Sequence, residues 1–257
     1  MSGIVPTISN LVHARSSGAA DDVDYEIRGV EMQFVEIELD PGESAVAEAG
    51  SLMFKDAVVA MDTVFGDGSK QASSGGGLLG KLGQAARRVI TGESLFITVF
   101  SHQGAATGGK ARVAFAAPYA GKIIPMKLSD MGGRIIAQRD SFLCAARGVS
   151  IGIFFQRKIM TGMFGGEGFI MQTLEGDGWV FIHAGGTIIE RDLEPGEVLH
   201  VDTGCLVAMT PTVGFDIERV GSVKSMIFGG EGVFFARVQG PGKIWLQSLP
   251  FSRLAGR

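Results

Sequence analysis

From Met32 to Leu39 the chain reads M-Q-F-V-E-I-E-L, so that Val35, Ile37 and Leu39 alternate with Glu36 and Glu38. An apolar residue at every second position puts one face of an extended strand in a core and the other in water. Asp40-Pro41-Gly42-Glu43 follows. Proline fixes φ at the second position of a turn and glycine allows φ > 0 at the third, so a tight turn is predicted. Short apolar runs cut by glycine recur at 95–100, 112–116, 121–126, 149–155, 169–174, 179–183, 198–201, 233–238 and 243–249. Many short strands with frequent glycine turns predict an all-β sandwich or barrel. One segment has a different period. Around a helix at about 100° per residue, Leu78, Leu79, Leu82, Ala85, Ala86, Val89 and Ile90 share one side. Lys81, Gln84, Arg87 and Arg88 take the other. The spacing predicts a short amphipathic helix over 78–90 with a basic polar face. Gly75-Gly76-Gly77 precede it and Thr91-Gly92 end it.

Self-comparison reveals an internal triplication. Phe164-Gly165-Gly166-Glu167-Gly168-Phe169 returns 64 residues later as Phe228-Gly229-Gly230-Glu231-Gly232-Val233. Gly176-Asp177-Gly178 returns as Gly240-Pro241-Gly242, and Ser141-Phe142-Leu143 lines up with Cys205-Leu206-Val207, at the same offset of 64. An earlier copy carries Leu39-Asp40-Pro41-Gly42-Glu43 against Leu193-Glu194-Pro195-Gly196-Glu197, and Gly50-Ser51-Leu52 against Gly204-Cys205-Leu206. In it Thr91-Gly92-Glu93-Ser94-Leu95-Phe96 stands for the Gly-Gly-Glu-Gly motif. The first copy is longer between its anchors, and the glycine-rich stretch places an insertion over 66–90. The reading is a flexible extension over 1–23, β-units over 24–126, 127–190 and 191–250, and a tail over 251–257. Units this small are expected to share a core. Glu93, Glu167 and Glu231 repeat with their glycines and read as turn residues that meet backbone donors or solvent.

Composition narrows the function classes. Glycine is 39 of 257 residues, charged residues are 19% and mean hydropathy is +0.26, which exclude a disordered chain. The net charge of −4 argues against a chain that binds nucleic acid through its overall field. Cys144 and Cys205 are too few for a disulfide scaffold and fit a reducing compartment. No apolar run is long enough for a membrane-spanning helix, and Met1–Ala20 lacks the pattern of a signal peptide. A cytoplasmic protein, peripheral at the inner face of the membrane if the 78–90 helix meets lipid, is the expectation.

The motifs M-Q-F-V-E-I-E-L-D-P-G-E, G-G-G-L-L-G…T-G-E-S-L-F, F-G-G-E-G-F-I-M-Q and H-A-G-G-T-I-I-E-R resemble the altered-inheritance-of-mitochondria protein 24 family over about residues 24–250. The resemblance implies three tandem β-units akin to the tryptophan RNA-binding attenuation protein, of double-stranded β-helix or sandwich type. It also implies a homotrimer whose nine units form a ring, and its mitochondrial members are linked to inner-membrane organisation. It carries no catalytic residues.

Candidate chemistry is sparse. His13, His102, His183 and His200 show no H-x-H or H-x-x-x-H spacing, and no C-x-x-C occurs. His183 and His200 with Glu190, Asp192 and Asp202 make at most a loose metal cluster, and no metal or cofactor is expected. A nucleophile elbow and a P-loop are both missing. The expectation is therefore a non-enzymatic oligomeric scaffold or binding module without catalytic residues. An RNA-binding ring is the second reading, although the copies do not repeat one basic residue: Trp179 in one aligns with Lys243 in the next. A small-molecule sensor with ligand held between β-units is the third. Leu78, Leu79, Leu82, Ala86, Val89 and Ile90, with Lys81, Arg87 and Arg88, are candidates for contact with an anionic membrane or another subunit.

Overall fold

The computed structural model describes residues 19–48, 50–65, 96–104, 109–157, 168–220 and 233–255. Within them the chain is all-β, with every strand pairing antiparallel. The expected 78–90 helix lies outside the described residues, as do the Gly92-Glu93, Gly165-Gly166-Glu167 and Gly229-Gly230-Glu231 motifs. A five-residue helix, α1 (Phe251–Ala255), closes the chain.

Strand β1 (Asp24–Arg28) stands apart, and the other strands repeat in sixes. The first six are β2 (Phe34–Leu39), β3 (Ser44–Ala47), β4 (Leu52–Lys55), β5 (Val59–Phe65), β6 (Phe96–His102) and β7 (Ala111–Ala116). The second six are β8 (Gly121–Lys127), β9 (Arg134–Gln138), β10 (Phe142–Ala146), β11 (Ser150–Arg157), β12 (Phe169–Glu175) and β13 (Trp179–Gly185). The third six are β14 (Ile188–Leu193), β15 (Val198–Asp202), β16 (Leu206–Met209), β17 (Gly214–Val220), β18 (Val233–Gln239) and β19 (Gly242–Gln247). Each set opens on the strand before its turn, β8 ending at residue 127 and β14 running through residue 191. The equivalence extends to irregularities: β4, β10 and β16 each carry a bulge at the same place, at Leu52/Phe54, Phe142/Cys144 and Leu206/Ala208.

The Pro-Gly turns behave as the sequence predicts. Gly42 and Gly196 sit at φ of 91° and 82°, which glycine adopts without strain. In both turns the closing glutamate reaches back. Glu43 accepts the Asp40 N–H at 3.0 Å and Glu197 accepts the Glu194 N–H at 2.9 Å. Alternation also holds: Val35, Ile37 and Leu39 are fully buried on β2.

The strands form four sheets, in the orders β1-β2-β7-β4, β5-β6-β3-β10-β13-β8, β11-β12-β9-β16-β19-β14 and β15-β18-β17. Each unit is thus split between two sheets, and units join where one unit's second strand pairs with the next unit's third. These junctions are β3 with β10 and β9 with β16. Three apolar cores separate the sheets. One holds Val35, Ile37 and Phe115 of the first sheet with Phe100 and Phe181 of the second. Another holds Val46, Phe142 and Val180 of the second with Leu174 and Trp245 of the third. The last holds Ile136 and Met171 of the third with Val201 and Ala236 of the fourth. The two middle sheets are buried on both faces, which is why β10 is an unbroken apolar run, F-L-C-A-A. Residues 19–28 strap the first two units together. Asp21 accepts the Ser44 N–H at 3.0 Å and donates its own N–H to Arg147 O at 2.8 Å. Tyr25 on β1 packs edge-on against Trp179 and Phe181.

Candidate functional site

A junction strand needs partners on both edges. Among the described residues β4 pairs only with β7, and β15 only with β18. Their counterparts are closed: β10 lies between β3 and β13, and β9 between β12 and β16. The chain therefore makes the unit junction twice and presents half of it at each end.

Burial follows the pairing. Register matches Phe54 to Cys144 and Ala208, and Lys55 to Ala145 and Met209. Phe54 is 39% exposed and its neighbour Met53 54%, whereas Cys144 and Ala208 are at 0%. On β15, Val198 is 39% exposed and His200 is exposed, while all of β3 is buried. Apolar side chains beside an edge that no described strand pairs with mark a place that another strand can extend.

The charged groups near β15 are ordered. Glu218 meets His200 Nε2 at 3.1 Å and Arg237 Nε at 3.6 Å. Asp202 Oδ1 accepts the Gly204 N–H at 2.9 Å. At the other end Lys55 Nζ donates to Val59 O at 2.8 Å.

The loose metal cluster does not assemble. His200 is paired with Glu218, Glu190 and Asp192 flank Lys243, and Asp202 holds its turn. His183 is buried under the Tyr119 ring at 4.5 Å, and neither ring nitrogen has a well-formed hydrogen bond. Burial pushes its pKa down to about 4. No group of three metal-ligating side chains occurs among the described residues. Both cysteines are free, and burial raises their thiols. Within the described residues no helix is long and apolar enough to cross a membrane.

The edge residues Phe54, Lys55, Val198, His200, Glu218 and Arg237 escape a motif search because none of them sits in a motif. For Lys55 and His200 the signal is a departure between copies, a charged or polar residue where the other two units have Ala145 and Met209, or Val46 and Ile136. It becomes readable only when the register is known.

Comparison with known proteins adds the following. A family model described as mitochondrial biogenesis AIM24 matches residues 25–249. An uncharacterized protein of Streptococcus pyogenes serotype M6 is 29% identical over 231 residues, covering 89% of this chain and 86% of the relative. The crystal structure of a Streptococcus pyogenes protein, solved as a structural genomics target, superposes with a TM-score of 0.67 at 25% identity. That match covers 91% of this chain and 97% of the other.

Proposed function

The chain belongs to the mitochondrial biogenesis AIM24 family, and from that premise we propose that it is a non-enzymatic scaffold built by head-to-tail joining of copies. The observation that carries this reading is the pair of half-junctions at β4 and β15. Transferring the register of β3 with β10 and of β9 with β16 to these edges sets Phe54 opposite Val201 of the next copy. Phe54, 39% exposed in the single chain, would then cover the core that holds Val201, and burying that remaining area contributes about 1 kcal/mol. Backbone pairing along the edge fixes the register. Three copies, the number implied by the family resemblance, would close nine units into a ring. The amphipathic 78–90 pattern gives such an assembly a means of resting on an anionic membrane.

Light scattering on the full chain tests the proposal. Wild type is expected at a multiple of 27.0 kDa, and Phe54→Asp at one chain with an unchanged far-UV spectrum. A wild-type mass of one chain at every concentration would overturn it. Flotation with anionic vesicles tests the membrane part, which fails if wild type stays with the soluble fraction or if Leu78→Asp with Leu82→Asp floats equally well.

A further inference from the structure

We infer that copies of this chain recognise one another through a charge-matched junction read by Lys55, unlike the apolar junctions inside the chain. The inference rests on the head-to-tail reading. Three positions repeat on the sheet face that each unit turns toward the next core. In the first unit they are Val46, its cross-strand partner Val99, and Val64. In the second they are Ile136, its partner Thr173, and Phe155. In the third they are His200, its partner Arg237, and Glu218. The first pair in each of the first two units is buried, at 0% and 3% for Val46 and Val99 and 1% and 7% for Ile136 and Thr173. At the end of the chain an apolar surface is thus replaced by an ion cluster.

The sign of that cluster selects its partner. Leu199, Val201, Phe215, Ile217, Ala236 and Val238 face the third core, so alternation turns Asp202, Asp216 and Glu218 to the opposite face with His200 and Arg237. Three carboxylates against one guanidinium leave the face negative when the imidazole is neutral. On β4, Lys55 lies opposite Val113, which belongs to the first core, so its ammonium points to that same side. The transferred register sets Lys55 opposite His200 of the next copy, beside Glu218. In the single chain the ammonium meets a backbone carbonyl, and the junction adds a carboxylate. A charged edge keeps free copies from pairing indiscriminately and still admits the complementary edge.

The test is the mass of the full chain by light scattering at low salt and at about 1 M salt, where the screening length falls to about 3 Å. Wild type is expected to dissociate more readily at high salt. Lys55→Glu is expected to associate on the order of tenfold more weakly at low salt, Glu218→Lys to weaken in the same direction, and the double variant to recover. Recovery separates pairing from mere loss of the Glu218 contacts to His200 and Arg237. A multi-chain wild type indifferent to salt, with Lys55→Glu indistinguishable from it, overturns this inference and leaves edge pairing standing. A double variant no better than Lys55→Glu also overturns it. A wild type of one chain at all salt levels removes both.

Discussion

At the scale of single residues, equivalent positions in the three units do different work. His183 and Gln247 occupy the same position, 64 apart. Gln247 accepts the Gly185 N–H at 2.7 Å and donates to Gly204 O at 2.7 Å. His183 has no such pair and packs against Tyr119, with Gly121 leaving room where a Cβ would lie 2.8 Å from Nε2. Its pKa falls from 6.5 toward about 4 on folding, so between those values the unfolded chain holds a proton that the folded chain does not. Stability is then fully present above pH 6.5 and declines as pH falls through the window, by up to about 3 kcal/mol. His183→Gln, which borrows the third unit's solution, is expected to flatten that decline. Urea unfolding near neutral pH and at the bottom of the window measures it. A variant with the wild-type pH slope would show that His183 is not the group responsible.

At the scale of elements, the turns are where sequence and structure agree most closely. Glu43 is buried and Glu197 is half-buried, although their turns are alike. Glu43→Ala is expected to lower stability by about 1 to 2 kcal/mol, and Glu197→Ala by less, in matched denaturant titrations. Equal losses would mean that burial does not set the value of this contact. Strands with an exposed face, such as β2, and strands bounded by glycine, such as β12 and β18, are legible because alternation and punctuation are local signals. Strands β3, β10 and β16 are not. S-A-V-A, F-L-C-A-A and L-V-A-M are buried on both faces and have no period to read. β14, I-I-E-R-D-L, is obscured for another reason: its charges sit on an exposed outer strand. The edges could not be found from sequence because an edge is a property of pairing. Only the structure says that, among the described residues, Phe54 has no strand beside it where Cys144 has β3.

At the scale of the whole molecule, every copy offers one β4 edge and one β15 edge, so in the proposed head-to-tail joining each contact would be heterologous and the assembly would either close or run on as a filament. A closed ring keeps one mass over a wide range of concentration, near three chains of 27.0 kDa if the family's number applies. A filament grows as concentration rises. The charge pair also permits a count by parity. A Lys55→Glu chain carries carboxylates at both 55 and 218, and a Glu218→Lys chain carries cations at both. Each repels its own kind, and the two attract in either order. Mixed chains must therefore alternate, and a ring of three cannot alternate without one like-charged junction. Alternation is free of mismatch only for an even number. The double variant, with Glu at 55 and Lys at 218 in one chain, matches at every junction whatever the number. The expected outcome is that the double variant recovers the wild-type mass while an equal mixture of the single variants does not reach a closed species. A mixture that closes to one concentration-independent mass would exclude a ring of three and point to an even number of copies.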